Sequence, residues 1–140
     1  MRKAPLTARI ELKVEASVSP SECPEKVISA ITNVIDKCSP DFRYGSRVIG
    51  RASGSESLRT IYEQIRSKAS MGVLRRMLIY HKIADTTYFL LNKQAASAGI
   101  VVVIEDVKES PLGPISVTID CEELDALICW LAPADGKKSF

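Results

Sequence analysis

The chain has 140 residues, 46% hydrophobic and 26% charged, with a formal net charge of +2, which suits one globular domain with a substantial core. Its longest apolar runs, YFLL and IVVVI, are far too short to cross a bilayer. The N-terminal stretch MRKAPLTARIELK is charged and has no apolar run of the secretory kind, so a cytoplasmic protein without a membrane partner is expected. We read residues 1–140 as a single domain, with an ordered core over about 8–133 and a tail, 134–140, that frays.

Ala8 to Val18 alternates, with Ile10, Leu12, Val14, Ala16 and Val18 on one side and charged or polar residues on the other. Period two over this length predicts a strand with one face on a core and one in water. Ser19-Pro20 stops it. A helix follows, with Pro24 in its first turn, Glu22 and Glu25 at its positive end, and Val27, Ile28, Ile31, Val34 and Ile35 as its apolar stripe. Phe42 to Ala52 reads as a weaker strand, with Tyr44, Val48 and Ile49 apolar and a bulge or bend at Gly45. Ser53-Gly54-Ser55 then caps a second helix whose stripe is Leu58, Ile61, Tyr62, Ile65 and Ala69. Arg59 and Arg66 share its outer face, where Glu63 can pair with either.

Gly72 is read as the separator before a third helix with Val73, Leu74, Met77 and Leu78 inward and Arg75, Arg76 and Lys82 outward. Thr86–Leu91 and Ile100–Glu105 are strands, joined by a short helical turn that starts at Lys93 and Gln94 and closes at Gly99. That turn is expected to link two central strands, with Lys93 and Gln94 bracing it through nearby carbonyls or carboxylates. Ile115–Asp120 is a further strand, and Glu122 and Glu123 open a last helix ended by Pro133. Three strands in succession after helices argue for an α+β fold: a single sheet of about five strands with helices packed mainly on one face.

Four cysteines, at 23, 38, 121 and 129, lack zinc-ribbon or redox spacing, and one histidine adds little ligand capacity. Free, reduced thiols, no metal and no cofactor are expected. The lone His81 has no evident triad partner, and Cys38 lies at a helix C-terminus, the wrong end for lowering a thiol pKa. No catalytic residue is therefore assigned, and the chain is read as a non-enzyme. Asp120, Glu122, Glu123 and Asp125 cluster at a strand-to-helix junction, which suits either a hard cation or, more simply, a helix dipole. The Gly50–Ser55 junction reads as a helix cap or as an anion site; it lacks the Gly-Lys-Ser/Thr ending of a nucleotide phosphate loop.

Charge is distributed unevenly along the chain. Residues 43–82 hold nine Lys/Arg against two acids, or +7, and residues 100–140 hold three against eight, or −5. The middle third thus suggests a polyanion partner. Arginine dominates it, which suits bidentate phosphate contacts. Candidate RNA or phosphate contacts are Arg51, Ser53, Arg59, Arg66, Arg75 and Arg76, with Lys93 and Gln94 added if they do not brace the turn. Tyr44, Tyr62, Tyr80 and Tyr88 lie nearby in sequence, most of them on apolar stripes where core packing is the simpler use.

Four stretches, in order along the chain, carry a resemblance. They are the first strand with Ser19-Pro20-Ser21-Glu22, the run Leu91-Asn92-Lys93-Gln94-Ala95-Ala96, Leu112-Gly113-Pro114-Ile115, and Leu131-Ala132-Pro133. Together they resemble an archaeal group, uncharacterised protein family 0201. The resemblance implies a fold similar to the fifth large-subunit ribosomal protein. It also implies a distant link to domains described as RNA-binding, some suspected of association with the archaeal exosome. It brings no catalytic residues. The function expected is a non-catalytic module that binds structured RNA through its basic middle third. The alternative is a protein–protein adaptor or homo-oligomer that docks through its acidic C-terminal third.

Overall fold

The computed structural model describes residues 4–66 and 68–134; the expected frayed tail lies almost wholly outside them. In chain order the elements are β1 (Glu11–Ser17), α1 (Pro24–Val34), β2 (Asp41–Arg43), β3 (Arg47–Ser53), a 3-10 turn (Ser55–Leu58) running into α2 (Arg59–Gln64), α3 (Lys68–Tyr80), β4 (Thr86–Leu91), α4 (Lys93–Ser97), β5 (Val103–Ile104), a second 3-10 turn (Val107–Glu109), β6 (Ile115–Asp120) and α5 (Leu124–Leu131). The strands form one open sheet of order β2-β3-β1-β6-β4-β5, with every pairing antiparallel.

The fold is α+β, as the element order implies, but with six strands where about five were expected. The extra one comes from the segment read as a single strand bent at Gly45. Tyr44 (φ 58°) and Gly45 (φ 70°) are both left-handed, and the Ser46 amide donates to Arg43 O at 3.2 Å. A turn with both central residues left-handed has a twist that suits a hairpin, and residues 44–46 make the loop between Arg43 and its partner Arg47. Tyrosine in the first turn position, where asparagine is usual, concealed the signal, and Tyr44 sits exposed at the tip instead of on an apolar strand face.

One face of the sheet is apolar. Leu12, Val14 and Ala16 of β1 lie beside Val48 and Ala52 of β3 and Ile115, Val117 and Ile119 of β6, and Phe89 and Leu91 of β4 continue the layer. Against it pack Val27, Ile31 and Val34 of α1, Ile61 of α2, Leu74 and Leu78 of α3, and Leu127, Ile128 and Leu131 of α5, in one cluster. The opposite face carries the alternate residues. Glu11, Arg47, Arg51 and Asp120 are exposed there, and Lys13, Glu15, Ser116 and Thr118 are half-buried. The helices thus cover one side, and the charged side of β1 faces solvent as its alternation requires.

Three further expectations are corrected. The break between the second and third helices begins at Ile65, not at Gly72, which lies inside α3 where an added Cβ would meet nothing within 4 Å. A mid-helix glycine costs only about 1 kcal/mol, so it did not have to be a boundary. Ile65 leaves helical geometry at φ −98°, ψ 19°, and α3 restarts with a new phase, which leaves Ala69 exposed instead of in the stripe. The strand expected over Ile100–Glu105 shortens to Val103–Ile104 because Gln64 occupies the chain before it, donating to Gly99 O and accepting from the Val101 amide, each at 2.8 Å. As a result β5 is an edge strand, and α4 does not join two central strands.

All four cysteines are free, and burial raises the thiol pKa of Cys38 and of Cys121. Among the described residues, no helix is long and apolar enough to cross a membrane. Gly50 marks a close approach between β3 and the chain before β2. A Cβ there would meet Cys38 Sγ at 2.6 Å and the Pro40 backbone at 3.1 Å. Gly50→Ala should therefore lower stability by about 1–3 kcal/mol, the usual cost of overpacking, and chemical denaturation would read it directly.

Candidate nucleic-acid interface

The first site-bearing stretch is the turn after β4. Asn92 caps α4, its side chain accepting from the Ala95 amide at 2.9 Å and donating to Glu109 O at 3.0 Å. Lys93 is only 2% exposed. Its ammonium donates to Ser17 O and Leu112 O, each at 2.7 Å, and to both Glu22 carboxylate oxygens at 3.0 and 3.1 Å. Three N–H groups thus meet the end of β1, the entry to α1 and the loop before β6. Burial pushes the Glu22 carboxyl up, but the Ser19 amide and hydroxyl and the Lys93 charge outweigh it and hold the pKa below the ordinary glutamate value. Gln94 is exposed, with its Oε1 accepting from the Ser110 hydroxyl at 3.3 Å. Both residues brace the turn, and Lys93 has no surface to offer a ligand.

The other expected contacts do not form one basic surface. Arg59 pairs with Glu63 at 3.4 Å on α2. Arg66, expected beside it, folds back instead. Its guanidinium lies 3.8 Å from the Tyr62 ring centre and donates to Tyr62 O at 2.8 Å and to Leu131 O. Burial lowers its pKa, partly offset by Tyr62. Arg75 donates to Ala132 O at 3.0 Å. Arg66 and Arg75 thus cap the carbonyl end of α5, where the helix dipole is negative. Arg76 pairs with Glu105.

Arg51 and Ser53 stand elsewhere, on the face of the sheet away from the helices. Cross-strand register sets Arg51 beside Lys13, Lys13 beside Thr118, and Thr118 beside Tyr88, one row across four strands. Among the described residues Arg51 is exposed and makes no ion pair or side-chain hydrogen bond. Lys13 and Arg47 flank Glu15 at 3.7 and 3.0 Å, and Arg43 pairs with Asp41 at 3.3 Å. Lys13, Arg43, Tyr44 and Arg51 line a groove of about 460 Å³ between the hairpin and β1. In the Gly50–Ser55 junction the Gly54 amide donates to Ile10 O at 2.9 Å, and Ser57 returns to Gly54 O through its amide and hydroxyl. The junction is a cap on a short 3-10 turn, with Ser53 exposed at its edge.

The tyrosines also depart from expectation. Only Tyr62 is buried, stacked 4.9 Å from Trp130. Tyr44 and Tyr80 are more than four-fifths exposed, at 81% and 82%, and Tyr88 is 36% exposed. Of the acidic cluster, Glu122, Glu123 and Asp125 line one pocket, but their partners differ. Glu123 Oε1 accepts the Thr7 and Ala8 amides at 2.7 and 2.8 Å, Asp125 pairs with Lys82 at 2.6 Å, and Asp120 and Glu122 face solvent. Among the described residues no group of three or more His, Cys, Asp or Glu could hold a metal ion.

Sequence reasoning passed over Lys13, Arg43 and Arg47. The alternation of β1 had already put Lys13 on the solvent side, but its neighbours depend on pairing register across strands distant in sequence. An open, partly cationic sheet face with exposed rings is a surface suited to nucleic acid. A family model described as RNA binding matches residues 11–121, from the start of β1 to the residue after β6. The relatives bear a narrower name. A UPF0201 protein of Sulfurisphaera tokodaii is 35% identical over 127 residues, 89% of this chain and 88% of that one. A UPF0201 protein of Thermococcus onnurineus is 36% identical over 130 residues, 88% of this chain and 91% of that one. The chain belongs to this UPF0201 family. The crystal structure of a UPF0201 protein from Methanococcus jannaschii matches with a TM-score of 0.73 at 28% identity, covering 88% of this chain and 92% of that chain. Another, of an uncharacterized UPF0201 protein, reaches 0.77 at 21% identity over 93% of this chain and 99% of that chain and shows the shared fold.

Lys93→Ala should lower stability by about 3 kcal/mol or more, because it leaves the nearly buried Glu22 carboxylate without its countercharge. Pairing it with Glu22→Gln should recover part of the loss. Glu22 is depressed in the folded state, so its stabilising contribution is complete above the ordinary glutamate range and is lost as pH falls through the folded value. The stability gap between wild type and Lys93→Ala should accordingly narrow as pH is lowered, measured by urea unfolding across a pH series.

Proposed function

We propose that this chain is a non-catalytic RNA-binding module and that RNA phosphates lie along the open face of the sheet, over β1 and the β2–β3 hairpin. The observation that carries the reading is Arg51, an exposed guanidinium that makes no ion pair among the described residues, set beside Lys13 on the face opposite the described helices. Arg43 and Arg47 extend the same region toward the hairpin tip. The family model's description of RNA binding supports the partner class. On the helical side, the arginines of the middle third hold carboxylates or backbone carbonyls within the chain.

Affinity should fall with salt as counterions are released. Contacts from Lys13, Arg43, Arg47 and Arg51 to a single strand give a log–log slope of about −3, and Arg51→Glu should flatten it by about 0.7 or more. Fluorescence anisotropy of a labelled RNA across a salt series reads both numbers. Arg59→Glu, on the helical side, serves as the comparison and should leave affinity nearly unchanged. A larger loss from Arg59→Glu than from Arg51→Glu would move the interface to the helical layer. Binding that ignores salt would end the phosphate reading.

A further inference from the structure

The cationic row does not stop at Thr118; it ends on an aromatic ladder. Tyr88 occupies the β4 position of that row. His81, one residue past the end of α3, stacks on the Tyr88 ring with centroids 3.9 Å apart and planes 25° apart. Tyr80 meets His81 edge-on at 5.0 Å. The ladder is held from beneath. The buried Thr87 hydroxyl donates to Leu78 O at 2.6 Å, the His81 amide donates to Met77 O at 3.0 Å, and Ile83 and Thr86 exchange backbone bonds at 2.8 and 3.0 Å. The end of α3 is thereby pinned to the start of β4, and the rings need no rearrangement to present themselves.

We infer that Tyr80, His81 and Tyr88 form a stacking site for an unpaired RNA base, at the far end of the row that begins with Arg51 and Lys13. The inference rests on the RNA reading above and adds to it the kind of nucleotide recognised. Three strand spacings separate Arg51 from Tyr88, about 14 Å, so one strand can lay phosphates on the cations and turn a base onto the rings. Tyr80 is the ring for the base to meet. It is 82% exposed, and among the described residues its ring contact is with His81. Stacking is tolerant of base identity, because every base has a π face. The site therefore selects unpaired over paired nucleotides, in a single strand or a loop, more than it selects sequence. Ile79 and Ile83 are exposed nearby and make a second copy of the chain the rival occupant.

The test compares short single-stranded oligouridylate and oligoadenylate with an abasic strand of equal length and charge, by fluorescence anisotropy. Wild type should bind the strands with bases more tightly than the abasic one. Tyr80→Ala should weaken binding of the former by about ten-fold or more and leave the abasic strand unaffected, whereas Tyr80→Phe should keep wild-type affinity. Arg51→Glu should weaken all three. Tyr80 is exposed, so a melting curve like that of wild type is expected and excludes misfolding. If Arg51→Glu weakens binding and Tyr80→Ala does not, the stacking site is wrong while the RNA reading stands. Wild type that binds no strand overturns both. A dimer seen by light scattering and lost in Tyr80→Ala assigns the patch to a second copy and overturns the stacking site.

Discussion

The buried ammonium of Lys93 is the constraint from which much of the structure's outline follows. A lysine taken out of water is tolerated only when each N–H finds an acceptor and the charge finds its opposite. Ser17 O, Leu112 O and the Glu22 carboxylate supply both. Those partners belong to the end of β1, the entry to α1 and the approach to β6, so one side chain sets where three loops converge. Glu22 is held in turn by the Ser19 amide at 2.9 Å, and α4 is fixed by its Asn92 cap. Because the net energy of a buried pair is small compared with the cost of breaking it, its role is one of geometry.

With that end locked, the two faces of the sheet separate in character. Helices supply apolar stripes to one face, and their polar ends are bound within the chain: Arg66 and Arg75 on the carbonyl end of α5, Gln64 on the chain before β5, Glu123 on the N-terminal segment. The other face keeps its charges at the surface. A count of basic residues therefore does not say which face of the sheet they occupy. Of the middle-third arginines on the helical layer, Arg66 and Arg75 hold carbonyls at the end of α5 and Arg59 and Arg76 hold carboxylates, while Lys13 and the hairpin arginines lie on the face without helices. Lys13, Arg43 and Arg47 hold carboxylates there, as Arg59 does on the helical side, so the distinction is the face each stands on. Among the described residues Arg51 makes no ion pair and has none to give up before it meets a phosphate.

The N-terminal segment offers a smaller case of the same logic. Glu123 was read as one of four carboxylates at a helix start. It instead receives two amides from Thr7 and Ala8, which draws the chain before β1 toward the start of α5. A carboxylate accepts readily from paired N–H donors, so the acidic junction is a tether for backbone from a distant part of the sequence.

Much of this was legible in the residues themselves. Period-two alternation determined β1 and its faces, apolar spacing determined α1, the acidic pair Glu122-Glu123 and Pro133 bracketed α5, and the Leu91–Ala96 run announced a tightly braced turn. These are local properties, set by backbone geometry and by which side chains avoid water. The hairpin was concealed by a tyrosine in a left-handed turn position, and the break before α3 carried no glycine to mark it. What no local pattern contains is which residues become neighbours. The Lys93–Glu22 pair spans 71 residues, Arg66 reaches a carbonyl 65 residues away, and the row Arg51–Lys13–Thr118–Tyr88 draws on four strands scattered along the chain. The sequence by itself determined that this would be a half-open α+β sheet with a basic middle. Only the tertiary structure decided which charges stayed free, because strand order and register choose each side chain's partner.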